Sequence, residues 1–175
     1  MQRVLHITRL TETGDEPVSL SELKAFMQLE GTAYDAPLTA SIKAARELIE
    51  GYCSVSLKAK SYRVVIRNND YETIRLPRLP ITSITTVAWR KCPSTLIELV
   101  LDTDYYNYGD GYLHSDTYKG EFTITYVAGV DASEIYRQAI KELIRAAFDA
   151  DNTSIILGIT DNIKRLLQGY VRRAF

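Results

Sequence analysis

Two histidines, His6 and His114, are the side chains here best suited to acid–base or metal work near neutral pH. Neither has a second histidine, a cysteine or a carboxylate at ligand spacing, so no metal centre is expected. The aspartates Asp102, Asp104, Asp110 and Asp116 crowd one stretch and offer the oxygens that calcium prefers. An EF-hand loop would need Asp or Asn at the fifth place and Gly at the sixth, where Tyr106 and Asn107 stand. These aspartates therefore read as solvated turn residues. The glycines of "YGDGY" (108–112) precede no predicted helix, which makes them a tight turn and not a phosphate cradle. No G-x-S-x-G, Walker loop or G-x-G-x-x-G occurs, and nothing singles out a pair of carboxylates for glycoside chemistry. The expectation is a protein with no catalytic residues and no cofactor.

The totals describe an ordinary soluble globule of 175 residues, 46% apolar and 25% charged, with a net charge of −1. Phosphate gripping draws on an excess of Lys and Arg, and 21 basic against 22 acidic side chains supply none in bulk. Cys53 and Cys92 are far apart and lack C-x-x-C spacing, so two thiols in a reducing compartment are expected in place of a disulfide. No stretch has the length and apolarity of a signal peptide or a membrane span, which points to a cytoplasm-like compartment.

The elements that would position any site follow from period and punctuation. Residues 1–17 read as a flexible arm or short strand ending in the polar turn "TETGDEP". In "VSLSEL", Ser19 can cap a helix with Glu22 returning the bond, and Val18 can staple against Leu23. This predicts a helix over about 19–29, closed by Gly31. A second, over about 36–52, is capped by Asp35, with Pro37 in its first turn and Gly51 near its end. It buries Leu38, Ile42, Ala45, Ile49 and Tyr52 and leaves Arg46, Glu47 and Glu50 off that stripe. The period then changes to two. "SYRVVIR" and "EFTITYV" alternate as half-buried antiparallel strands within a β-region of about 61–127. The "NND" turn predicts a hairpin between 62–67 and 71–76. Ile84 breaks the phase of Ile81, Val87 and Trp89, which predicts a bulge or a strand buried on both sides. Short strands are expected at 96–101, 105–108 and 112–114. A third helix over about 133–150, capped by Ser133, buries Ile135, Ala139, Leu143 and Ala147, and a last one spans about 162–168. Helices at both ends of a meandering sheet make an α+β fold, read as a single domain over 18–175.

Three features fall outside that frame. Tyrosine outnumbers phenylalanine twelve to four, and Tyr105 and Tyr106 head a cluster suited to half-wet subunit contacts. Arg137, Lys141 and Arg145 repeat at i, i+4, i+8 opposite the apolar line of the third helix. They are either a solvated face or an ion-pair stripe whose acidic side is Glu47 and Glu50 of a neighbouring copy. Finally, "IRLPRLP" sets Pro77 and Pro80 around Arg78. Proline cannot donate to a ladder, so the segment should end one strand, delay the next and stand out as a stiff exposed corner.

Taken in order, the chain resembles the head–tail connector (adaptor) proteins of tailed bacteriophages. The resemblance rests on "EPVSLSELKAFMQLEG", "LTASIKAARELIEGYCSVSL", "IRLPRLPITSITTVAW", "GEFTITYVAGV", "IYRQAIKELIRAAFD" and "ITDNIKRLLQGYVRR", spanning about residues 16–173. It departs where the third helix runs into "FDADN" in place of a charged Y-E-N-R-like end. The resemblance implies a structural virion protein in a homo-oligomeric ring of about a dozen copies. Such a ring docks on the phage portal protein at the capsid vertex, meets a downstream tail or stopper protein, and lets DNA pass without specific binding. No membrane is involved, and the host cytoplasm is the place of assembly. The candidate docking residues are then Pro77, Arg78 and Pro80 of the corner, with Leu166, Leu167, Tyr170, Arg172 and Arg173 near the end. The alternatives are a nucleic-acid-binding accessory protein of phage assembly, using the third-helix cations, and a small-molecule enzyme or binding domain in the tyrosine-rich sheet.

Overall fold

The computed structural model describes residues 2–69, 73–91, 95–129, 133–150 and 159–171. The chain forms two compact units, each assembled from separated segments: Met1–Gly14 with Ala59–Val130, and Asp15–Lys58 with Asp131–Phe175.

The second unit is helical, with α1 (Leu20–Met27), α2 (Asp35–Cys53), α3 (Glu134–Ala150) and α4 (Asp161–Leu167). The Ser19 hydroxyl accepts the Glu22 N–H at 3.2 Å, which is the first half of the expected capping pair. The Glu22 carboxylate does not return the bond but turns to Arg137 and Lys141 of α3. Val18 and Leu23 are both fully buried in the helical core. α1 ends earlier than Gly31: Gln28 takes the left-handed conformation (φ 56°), and the Leu29 N–H reaches back to the Lys24 carbonyl. Gly51 lies near the end of α2, as expected. The helix continues to Cys53 and closes on left-handed Ser54. Asp35 is its first residue and Tyr34 its cap, the Asp35 carboxylate being held by Lys24 Nζ at 2.7 Å. Leu38, Ile42, Ala45 and Ile49 face the core as predicted, and α3 adds Ala139, Ile140, Leu143 and Ile144. At about 1.5–3 kcal/mol for each large aliphatic side chain buried, this shared line is what holds the helices together.

The first unit is antiparallel. A five-stranded sheet has the order β1 (Gln2–Thr13), β2 (Ala59–Asn68), β8 (Gly120–Ala128), β4 (Ile81–Lys91), β5 (Thr95–Glu98). A smaller sheet joins β3 (Ile74–Arg75), β7 (Tyr112–His114) and β6 (Tyr106–Gly109). The segment read as an arm is thus a twelve-residue edge strand laddered onto β2. Among the described residues the expected 62–67/71–76 hairpin does not form, because both edges of β2 are taken by β1 and β8, and β3 pairs with β7. Ile84 does mark bulging: the β4–β8 register shifts between Ile81 and Ser83 and again between Ile84 and Thr86. Val64, Ile66, Phe122, Ile124 and Tyr126 are buried on the inner face.

Candidate functional site

The stripe on α3 has an acidic partner inside its own chain. Glu22, in the first turn of α1, receives Arg137 Nη2 at 2.8 and 2.9 Å and Lys141 Nζ at 3.4 Å. Glu134 flanks both cations, at 3.6 Å from Arg137 and 3.4 Å from Lys141. The Arg137 hydrogen bond above all, with Lys141 behind it, holds the Glu22 carboxyl below the usual range against the opposing effect of burial. Lys141 is buried, so this residue, proposed for a contact between copies, is committed within the subunit. Arg145 is exposed and lies 5.8 Å from the Phe26 ring centroid, as does the Lys141 ammonium. Phe26, Met27, Gln28, Arg145 and Phe148 line an open cleft of about 200 Å³.

Glu50, the proposed acidic counterpart, is also buried. Its carboxylate accepts Arg46 Nη1 at 2.9 Å and the Leu57 N–H at 2.8 Å. Arg46 is fully buried, against the expectation that it lies off the packed face. Its Nε donates to Glu16 at 2.7 Å, and Glu16 also meets Lys58 at 3.2 Å. One guanidinium therefore ties the middle of α2 to the segment before α1 and the segment after α2. Glu47 alone of that acidic pair is exposed, 3.8 Å from Arg46.

The proline corner is anchored, not protruding. Leu76 and Leu79 are buried, while Pro77, Arg78 and Pro80 are half-buried. The Tyr126 hydroxyl donates to the Pro77 carbonyl at 2.6 Å, and the Pro80 carbonyl accepts the Gly129 N–H at 3.0 Å. Burial pushes the Tyr126 phenol well above its ordinary pKa. Arg78 sits at φ 62°, and the Leu79–Pro80 bond is cis. Gly111 closes over the corner at φ +79°, where a Cβ would come within 2.6 Å of Leu79 Cδ2.

The other candidates divide by exposure. Tyr105 is buried in the sheet core, whereas Tyr106 is 41% exposed. Leu167 is buried in the helical core, while Leu166 and Tyr170 are exposed and Tyr170 meets Tyr136 edge-on at 5.7 Å. Arg172, Arg173 and Cys92 lie outside the described residues. Among the described residues no cluster of His, Cys, Asp and Glu could hold a metal, and no helix is long and apolar enough to cross a membrane.

Helices and antiparallel sheets in two units, each assembled from separated segments, define the class as α+β. Residues 16–163 match the family described as head completion protein, and the chain belongs to it. Over 98% of both chains it is similar to a solved chain from "Neck of empty GTA particle computed with C6 symmetry", with a TM-score of 0.72 and 15% identity. The same coverage and identity hold for "Neck of native GTA particle computed with C12 symmetry", at a TM-score of 0.65. At that identity the likeness establishes the fold. No curated protein sequence matches the chain.

Proposed function

We propose that the chain is a subunit of a homo-oligomeric ring in the virion neck, made in the host cytoplasm. The ring joins the capsid portal to the tail and extends the DNA channel, with no reaction of its own. The observation that carries this reading is the family match over 16–163 together with end-to-end likeness to neck chains solved with six- and twelvefold symmetry. A rotational axis repeats one heterologous contact until it closes. Near-zero net charge suits a conduit that DNA must leave quickly.

The test combines light scattering and negative-stain imaging of the full chain, alone and with the portal protein of the same phage. Annuli that cap the portal are expected. A chain that stays solitary with the portal present would refute the reading, as would tight duplex-DNA binding with a steep salt dependence, which favours the accessory role. For the docking surface, Leu166→Glu is the appropriate variant, because deleting α4 would strip Ile163 and Leu167 from the helical core. Loss of portal attachment by a folded Leu166→Glu chain is expected.

A further inference from the structure

The five-stranded sheet ends in two edges, β1 and β5, that each expose aliphatic side chains among polar ones. At one edge, the β1–β2 register shifts between Val4 and His6 and between Arg9 and Thr11, leaving Leu5 and Leu10 as the extra residues of two bulges. Bulges normally turn an edge away from partners, and polar residues normally occupy it. Here both bulged residues are leucines, 38% and 42% exposed, with Ile7 between them at 37%. At the other edge, Leu96 and Ile97 of β5 are exposed, and the following turn carries Val100 and Leu101 at 59% and 47%. That turn is ordered, with the Val100 carbonyl accepting the Thr103 and Asp104 N–H groups and the Asp104 carboxylate accepting the Val100 N–H. An ordered turn that points two aliphatic side chains at water is built for contact. Exposed Arg3 stands on the first edge, exposed Glu98 and Asp102 on the second.

We infer that these edges are the two halves of one heterologous contact, the Leu5–Ile7–Leu10 strip of one copy seating against the Leu96–Leu101 patch of the next. The occupant is a second copy because both halves belong to the same chain and match in exposed aliphatic side chains, with Arg3 opposite in sign to Glu98 and Asp102. Neighbouring strands are antiparallel throughout the sheet, so β1 and β5 run in the same direction, and successive copies can follow one another without inversion. The inference rests on the ring reading and names the surface that would close it.

Sedimentation of full-length variants over a concentration series tests it. Leu10→Glu and Val100→Glu each spoil one half and are expected to weaken self-association at least about tenfold. Mixed together, they retain one intact half each, so they should form a heterodimer that stops at two. That heterodimer also shows that both variants are folded. Arg3→Glu and Glu98→Arg should each weaken association, and the double variant should restore it. Wild-type self-association unaffected by these changes would overturn this inference and leave the ring reading standing. So would variants that still form rings but lose the portal. A wild-type chain that never self-associates, with or without portal, would remove the ring reading itself.

Discussion

Arg46 gives the sharpest test of how the helical unit is held. Its guanidinium is fully buried between Glu16 at 2.7 Å and Glu50 at 2.9 Å. Replacing it with methionine fills much of the volume but leaves the buried Glu50 carboxylate without its counter-charge. Breaking a buried pair from one side costs about 3–5 kcal/mol. For a chain of this size that corresponds to a fall in Tm of about 6–20 °C. The double variant Arg46→Met/Glu50→Leu removes both charges and should recover part of the loss. Recovery stays incomplete, because the Leu57 N–H then loses its acceptor, at about 1–3 kcal/mol. Urea denaturation of wild type, both single variants and the double variant at pH 7 closes the cycle. Additive losses, or a single-variant loss below about 1 kcal/mol, would show that the pair is not coupled in the way its burial and distances require.

Two further predictions concern titration and reactivity. Glu22 binds fewer protons folded than unfolded, because its carboxyl is held low. Its contribution is therefore present above the unfolded value of about 4.3 and is lost as pH falls through the lowered folded value. Glu22→Gln should destabilise the chain by up to about 1 kcal/mol at pH 7, its 31% exposed side chain tempering the effect, with the difference from wild type shrinking towards pH 3; a pH-independent difference in urea midpoints would count against it. Burial pushes the Cys53 thiol up to about 11, so iodoacetamide at pH 8 should label it only after unfolding, and rapid labelling of the native chain, read by mass spectrometry, would contradict its burial.

The elements most legible in the sequence were those whose local signals agree with their packing. Ser19 and Glu22 marked the start of α1, and the alternation in "EFTITYV" marked β8 with its buried face in the right phase. β1 was less legible because each bulge at Leu5 and Leu10 resets the alternation that would announce a strand. β3 defeated the hairpin rule because proximity in sequence lost to a competitor: β1 and β8 already occupy the edges of β2. Among the candidate contacts, the α3 cations are legible in the sequence but their partner is not, since Glu22 lies 115 positions from Arg137 and local spacing carries no such information. Arg46 and Glu50 fall off the stripe that aliphatic spacing predicts, yet both are buried. α2 buries a wider face than its aliphatic residues define, and the pair satisfies itself there. The apolar Leu96–Leu101 run could be read as a strand, but its exposure emerges only once the sheet order makes β5 an edge.

The discontinuity of the helical unit sets an order of events on the ribosome. α1 and α2 emerge directly after β1, yet the core they share with Ile140, Leu143 and Ile144 is complete only after every strand has been translated. Until then the nascent chain carries unburied aliphatic faces for which chaperones have affinity. A copy released early keeps them and is a natural target for proteolysis.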